Sequence, residues 1–357
     1  MNKEEVLILE TLKLAKKGMG KVSPNPMVGA VIVKNGKIIS RGYHHFFGDD
    51  HAEVNALKNA KNNVKESELY VNLEPCSHFG KTPPCVNEIV KAGIKRVIIG
   101  DKDLNPVVDG KGINYLKRHG VEVVYGVLTD KCRELNKGYY KYMRTGFPYV
   151  SVKIAQSIDG KISKKEGTET NITSAASKRI VHRLRSNYDA VLIGKNTAVI
   201  DNPSLTVRLC KGVSPKRIIL DENLKIDSRL KILKKPLAEG TIIFTTSDYN
   251  GEMREVFLKR GIKIIPVKKD KKGLIDLKDM LRKSVKNGIL SIIVEGGAEI
   301  FSSFINKKLV DKIYIFTAPK IYTEGVSMFN NSILDSSLKF EKVRKIGDDL
   351  FIEGILE

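Results

Sequence analysis

Short apolar runs bounded by turn residues alternate along this chain with segments of helical period. Apolar residues 28–33 and the mixed run 37–43 flank Asn35-Gly36, a pair that favours a two-residue hairpin. A helix is expected over 51–60, a strand over 68–73, and a helix over 85–92 that Gly93 stops before a buried-type strand at 96–99. A helix over 113–119 ends at Gly120 and leads into a strand over 121–125. The opening segment MNKEEVLILETLKLAKKG reads as an amphipathic helix, with Glu4 and Glu5 at its start, Lys16 and Lys17 near its end and Gly18 as the stop.

Turn signals cluster at Arg144-Thr145-Gly146-Phe147-Pro148, and a second alternating series follows. Strands are expected near 149–155, 190–193, 217–220, 241–245, 262–267, 289–294 and 312–317, with helices between them at 175–185, 277–286 and 299–306. The two series share no repeat period, so the pattern predicts two unlike α/β domains, 1–145 and 146–357, each with a mixed or parallel sheet covered by helices.

Composition narrows the class. At 357 residues, 41% hydrophobic and 29% charged, the chain suits two folded domains and not a disordered segment. Its apolar runs are too short to span a bilayer, and acids precede the N-terminal apolar run, so neither a membrane span nor a signal peptide is expected. Four cysteines in such a length are no disulfide framework, which points to a reducing cytoplasmic compartment. The net charge of +21 alone would suggest a polyanionic partner.

The chemistry gathers at His51-Ala52-Glu53, Pro75-Cys76 and Pro84-Cys85. A catalytic zinc takes three nitrogen or thiolate ligands and keeps one position open for water, and His51, Cys76 and Cys85 supply such a set. Zinc lowers the pKa of its water to about 7, and Glu53 is placed to shuttle the proton from that water to a leaving amine. A structural site would need a fourth ligand, for which His78 is the nearest candidate. A redox pair lacks Cys-x-x-Cys spacing. Cys132 and Cys210 read as small core residues.

These motifs resemble the cytidine and nucleotide deaminase superfamily, whose usual second motif is Pro-Cys-x-x-Cys. The longer form here, LEPCSHFGKTPPC, together with SPNPMVG and HAEVNAL, is similar to the deaminase half of the bifunctional riboflavin-biosynthesis deaminase–reductase family. The resemblance implies a three-layer α/β/α cytidine-deaminase-like domain, one zinc on His51, Cys76 and Cys85, and Glu53 as the catalytic proton shuttle. It further implies that Asn25 and His44 contact the pyrimidine, and that Lys81 and His78 help hold a ribose phosphate. Asp49-Asp50 departs from the Gly-x-Pro usual before the histidine.

In the second half, the run 289–294 enters Glu295-Gly296-Gly297-Ala298 and a helix, a place where backbone N–H groups can meet phosphate. The dinucleotide fingerprint Gly-x-Gly-x-x-Gly is absent. KIAQSIDGK and NTAVIDNPSLTVR resemble the reductase half of the same family, which implies a dihydrofolate-reductase-like α/β domain that binds NADPH without that fingerprint. The implied cofactor contacts are Ala155, Asn171, Thr197, Asp201, Glu222, Gly297, Ala298, Glu299, Ile300, Phe301, Ser302 and Ser303. Glu169, Arg185, Leu205, Arg208 and Glu295 fall at substrate positions, the arginines suiting a phosphate by bidentate pairing. Lys153 and Asp201 are the candidates for polarising the ribose carbon. Asn171 stands where many members have Trp, and Glu169 where a small hydroxyl is common.

The resemblance therefore implies hydrolysis of the 2-amino group of 2,5-diamino-6-(5-phosphoribosylamino)pyrimidin-4(3H)-one, then NADPH-dependent reduction of the ribosyl to a ribityl side chain. Its implied partners are a phosphorylated pyrimidine and further copies of the chain in a dimer or tetramer, with no nucleic acid and no membrane. The +21 charge prompts a rival, a nucleic-acid deaminase or RNA-binding protein. That rival wants basic residues interleaved with exposed aromatics, yet Trp is absent and aromatics total 7%. A second rival is a structural zinc module fused to a binding domain.

Overall fold

Asn35 and Gly36 take left-handed backbone, φ 49° and 75°, and join β1 (Gly29–Lys34) to β2 (Lys37–Tyr43) as an antiparallel hairpin. The computed structural model describes residues 1–61, 63–79, 83–246, 251–329 and 336–357. Two units emerge, Met1–Gly146 and Phe147–Glu357.

In the first unit β3 (Glu68–Leu73) pairs antiparallel with β1, and β4 (Arg96–Asp101) and β5 (Glu122–Tyr125) add in parallel, giving the order β2-β1-β3-β4-β5. Alternate strand residues serve opposite faces. Ala30, Ile32, Leu69, Val71, Val97 and Ile99 meet α2 (Ala52–Lys58), α3 (Cys85–Lys91) and α4 (Lys111–Arg118). Val31, Val33, Tyr70 and Ile98 meet α1 (Lys3–Ala15) through Leu7, Ile8, Leu12 and Leu14. The result is a three-layer α/β/α sandwich, its strands apolar on both faces because both are covered. Asn2 and Glu5 close a capping box on α1, each side chain bonding the other's backbone N–H (2.9 and 3.1 Å).

Two helices, α5 (Thr129–Leu135) and α6 (Lys137–Thr145), follow β5. Neither is expected from periodicity, because α5 buries only Cys132, and α6 buries Gly138, Tyr139 and Tyr140 instead of an aliphatic stripe.

The main sheet of the second unit has nine strands among the described residues: β6 (Tyr149–Ser157), β8 (Ala190–Gly194), β9 (Lys216–Leu220), β10 (Thr241–Thr245), β11 (Lys263–Pro266), β12 (Ser291–Val294), β13 (Lys312–Ala318), β15 (Leu338–Ile346) and β16 (Asp349–Leu356). Their order is β11-β10-β9-β8-β12-β6-β13-β16-β15, parallel except for the antiparallel pairings of β16 with β13 and β15. β7 (Lys161–Ser163) and β14 (Val326–Ser327) form a separate two-stranded ribbon. Helices α7 (Ala175–Arg185), α8 (Lys195–Asp201), α9 (Gly251–Lys259), α10 (Leu277–Lys286) and α11 (Ala298–Asn306) complete the unit. Ala190, Leu192, Ile218, Ile292 and Val294 feed one core, while Val191, Ile193, Ile219 and Ile293 feed the other.

The β15–β16 hairpin is not foreseen by the apolar-run reading. Seven consecutive residues of β15 are exposed, and its Lys-Phe-Glu-Lys-Val-Arg-Lys sequence is that of a charged edge strand. No helix among the described residues is long and apolar enough to cross a membrane.

Candidate active sites

In the first unit, Gly42 lets α2 lie against β2. A Cβ there would collide with Ala56 N and Ala52 O. That approach sets His51 as the N-cap of α2, in extended backbone, with Glu53 in the first turn. Cys85 opens α3 after Pro84, and Cys76 follows β3 directly after Glu74-Pro75. The donor atoms of His51, Cys76 and Cys85 lie within 4.8 Å of one another. His51 Nδ1 is 3.4 Å from Cys76 Sγ and 3.3 Å from Cys85 Sγ, and Cys85 N donates to Cys76 Sγ at 3.3 Å.

The electrostatics suit a cation. The Cys85 hydrogen bond, aided by His51, holds the Cys76 thiol down at about 4 against the opposing effect of burial, while Cys85 itself is pushed up by donating to Cys76. The Cys76 contact raises His51 to about 8. Burial pushes Glu53 up to about 7, and its Oε2 is buried with no hydrogen-bond partner among the described residues. One imidazole, two sulfurs and an unpartnered buried carboxylate oxygen fit a catalytic zinc and its proton shuttle.

Beside this cluster, Asn25 Nδ2 lies 3.3 Å from His44 Nε2, and His44 Nδ1 lies 3.0 Å from Asp50 O. A carbonyl only accepts, so Nδ1 carries the proton and Nε2 accepts from Asn25. Burial keeps the His44 pKa below its ordinary value, and the ring meets His51 edge-on at 5.3 Å. His78 Nδ1 is buried without a partner among the described residues. Lys81 lies outside the described residues.

Glu74 is not among the site residues expected from the sequence motifs. It is buried and accepts the backbone N–H groups of Asp103, Gly110 and Ile113 at 3.2, 3.0 and 3.1 Å, which fastens the 103–113 segment beside Cys76. Its place immediately before Pro75-Cys76 is the one signal that could have found it.

The second unit holds a cavity of about 1000 Å³ at the carboxyl ends of β8, β9 and β12, where open parallel sheets bind ligands. Lys153, Ala155, Glu169, Asn171, Arg185, Thr197, Asp201, Leu205, Arg208, Glu222 and Glu295 all line it. So do Gly297, Ala298, Glu299, Ile300, Phe301 and Ser303. Ser302, expected among the cofactor contacts, is buried and is not part of the lining, because it falls on the inward side of α11.

Glu295 is the electrostatic centre. Arg185 Nε and Nη2 reach its two oxygens at 2.7 and 2.8 Å, and Lys153 Nζ lies 3.5 Å from Oε2. Burial would raise Glu295, but Arg185 and then Lys153 outweigh it and hold the carboxyl at about 2. Arg185 Nη1 bonds Thr206 O at 3.3 Å. The Arg185 guanidinium is thus engaged inside the protein, by Glu295 and Thr206 O. Arg208 is exposed at the cavity. Burial and Glu169 push Asp201 up, with Lys153 opposing.

Two family models match. "RibD C-terminal domain" covers residues 148–352, and "Cytidine and deoxycytidylate deaminase zinc-binding region" covers 1–101. The riboflavin biosynthesis protein RibD of Aquifex aeolicus (strain VF5) is 41% identical over 96% of this chain and 95% of its own length. The chain belongs to the RibD family.

Members of this RibD family with solved structures share both units. Acinetobacter baumannii RibD is 32% identical with TM-score 0.89, covering 99% of each chain. A Thermotoga maritima protein described as a diaminohydroxyphosphoribosylaminopyrimidine deaminase/5-amino-6-(5-phosphoribosylamino)uracil reductase is 33% identical with TM-score 0.86, over 99% of this chain and 98% of that one. The chain is accordingly a bifunctional deaminase and reductase of riboflavin biosynthesis, a cytidine-deaminase-like domain joined to a RibD reductase domain, and the nucleic-acid deaminase reading is not favoured.

Proposed function

We propose that the first unit, Met1–Gly146, hydrolyses the 2-amino group of 2,5-diamino-6-(5-phosphoribosylamino)pyrimidin-4(3H)-one. The second, Phe147–Glu357, then reduces the ribosyl group of 5-amino-6-(5-phosphoribosylamino)uracil with NADPH. The observation that carries the first half is the convergence of His51 Nδ1, Cys76 Sγ and Cys85 Sγ beside the unpartnered Glu53 Oε2.

His51, Cys76 and Cys85 would hold zinc, which when bound supplies the Lewis acidity that makes water a nucleophile at neutral pH. Glu53 takes the proton from the attacking water and returns it to the departing nitrogen, a role for which a carboxyl poised near 7 by burial is suited. With its amide N–H given to His44, Asn25 offers its oxygen to an N–H of the pyrimidine. His78 helps hold the ribose phosphate, a role that the family resemblance extends to Lys81.

In the reductase site NADPH, when bound, supplies the hydride. Ala155, Asn171, Thr197, Asp201, Glu222 and the 297–303 segment hold it, with the first turn of α11 presenting N–H groups to its phosphates. Arg185 keeps Glu295 ionised and oriented, and Glu295 in turn fixes the Lys153 ammonium, which with Asp201 faces the ribose carbon. Glu169 and Leu205 border the substrate, and Arg208 is the exposed cation for its phosphate. The protein works in the cytoplasm as a dimer or tetramer.

A coupled assay on the purified chain tests the assignment. Ammonia release from the diaminopyrimidine and NADPH oxidation should both appear, with one zinc per chain. A chain that releases no ammonia when zinc-loaded would defeat the deaminase assignment.

A further inference from the structure

Residues 202–208 form the wall of the reductase cavity between α8 and the Arg208 side chain, and their backbone is strained. Leu205 sits at φ 51°, in the left-handed region that side chains other than Asn and Asp rarely adopt, while Asn202, at φ 39°, is the left-handed C-cap of α8. Such a conformation persists only where its surroundings over-determine it. Three bonds do so beyond Asn202. Val207 N donates to Ser214 Oγ at 3.0 Å, Arg185 Nη1 donates to Thr206 O at 3.3 Å, and Arg208 N donates to His182 Nδ1 at 3.0 Å.

His182 lies on α7 three residues before Arg185, so the two share a helix face toward this wall. It is 4% exposed and lines the cavity. A backbone N–H can only donate, so Nδ1 holds a lone pair, Nε2 carries the proton and the ring is neutral. The charged groups facing it are Arg185 on its own helix, Arg208 on the loop and Glu295 after β12. Burial and the two arginines resist its protonation, and Glu295 favours it. A proton on Nδ1 would remove the acceptor and set a cation between two guanidinium groups.

We propose that His182 is a positioning residue of the reductase: as a neutral acceptor for Arg208 N–H, it holds the 202–208 wall in the strained form that presents Leu205 and Arg208 to the phosphorylated substrate. This rests on the reductase reading above for the identity of the substrate, but not for the geometry of the loop.

The test uses the full chain and three variants. Asn places Oδ1 where Nδ1 stood, Gln does not, and Ala offers no acceptor. His182→Ala and His182→Gln raise KM for the deaminated substrate about tenfold, the effect of one lost hydrogen bond, with a smaller change in kcat. His182→Asn restores it. The wild-type KM climbs more steeply than that of His182→Asn as pH falls through the titration of His182, the variant keeping only the change due to the substrate phosphate's own protonation. Ammonia release, from the other unit, is unchanged throughout. Hydrogen exchange of the Arg208 amide supplies a readout free of turnover: faster in His182→Ala, protected again in His182→Asn. Equal protection in wild type and His182→Ala, or Asn and Ala variants with the same KM, would overturn the inference. Absence of NADPH oxidation by the wild type would instead strike the proposed function, and the exchange data would still decide the role of His182.

Discussion

Arg185 grips Glu295 with two arms of its guanidinium, Nε to Oε1 at 2.7 Å and Nη2 to Oε2 at 2.8 Å, on a carboxylate that is 5% exposed. Removing the arginine strands a buried charge with Lys153 alone, 3.5 Å away. Arg185→Leu is expected to lower the unfolding free energy by about 3–5 kcal/mol, read from urea denaturation. Arg185→Leu combined with Glu295→Leu should recover part of that loss, since the stranded charge is gone. A single variant as stable as wild type would show that the pair is not the anchor described.

The same pair makes the fold sensitive to acid. Burial would raise the Glu295 carboxyl, but Arg185 and Lys153 bring it from 4.5 to about 2. A folded pKa below the unfolded one adds stability that is complete above about 4.5 and fades as pH falls toward about 2. At about 1.4 kcal/mol per unit this amounts to about 3 kcal/mol. Denaturation midpoints of wild type should drop across that window, and those of Glu295→Gln should drop less. Parallel curves for the two proteins would exclude Glu295 as the source.

Asp103 in the first unit behaves with the opposite sign. Burial is the largest influence and pushes it from 3.8 to about 6, although Asn105 N and the Tyr139 hydroxyl donate to its Oδ1 at 2.9 and 2.8 Å. A folded pKa above the unfolded one costs stability as pH rises from about 4 to about 6. Asn keeps an oxygen for both donors, so Asp103→Asn should be more stable than wild type by up to about 3 kcal/mol at pH 7 and equal to it below pH 4. Urea denaturation at the two pH values measures this, and a less stable variant at pH 7 would refute it.

How much of this was legible in the sequence depended on what each element must bury. The strands bearing Ala30–Val33 and Ile292–Val294 are apolar at every position because both sheet faces are covered, and they stood out. The β15–β16 hairpin has one edge strand open to water, so its alternating charges hid it. His51, Cys76 and Cys85 were readable because metal chemistry restricts residue type. Glu74 and His182 act through backbone N–H groups, and any of several side chains could accept such a bond. The pairing of Arg185 with Glu295, 110 residues apart, is a product of the fold and left no local mark.

The central claim is that one chain carries two separate chemistries, with Glu53 serving only the first. The most direct measurement is made on Glu53→Gln, following ammonia release from the diaminopyrimidine and NADPH oxidation with the deaminated compound, with zinc content determined on the same sample. Ammonia release should fall by at least about 100-fold, the usual contribution of a positioned acid–base group, while zinc stays bound and NADPH oxidation is unchanged. Loss of both activities in a folded, zinc-loaded variant, or ammonia release undiminished, would contradict the account.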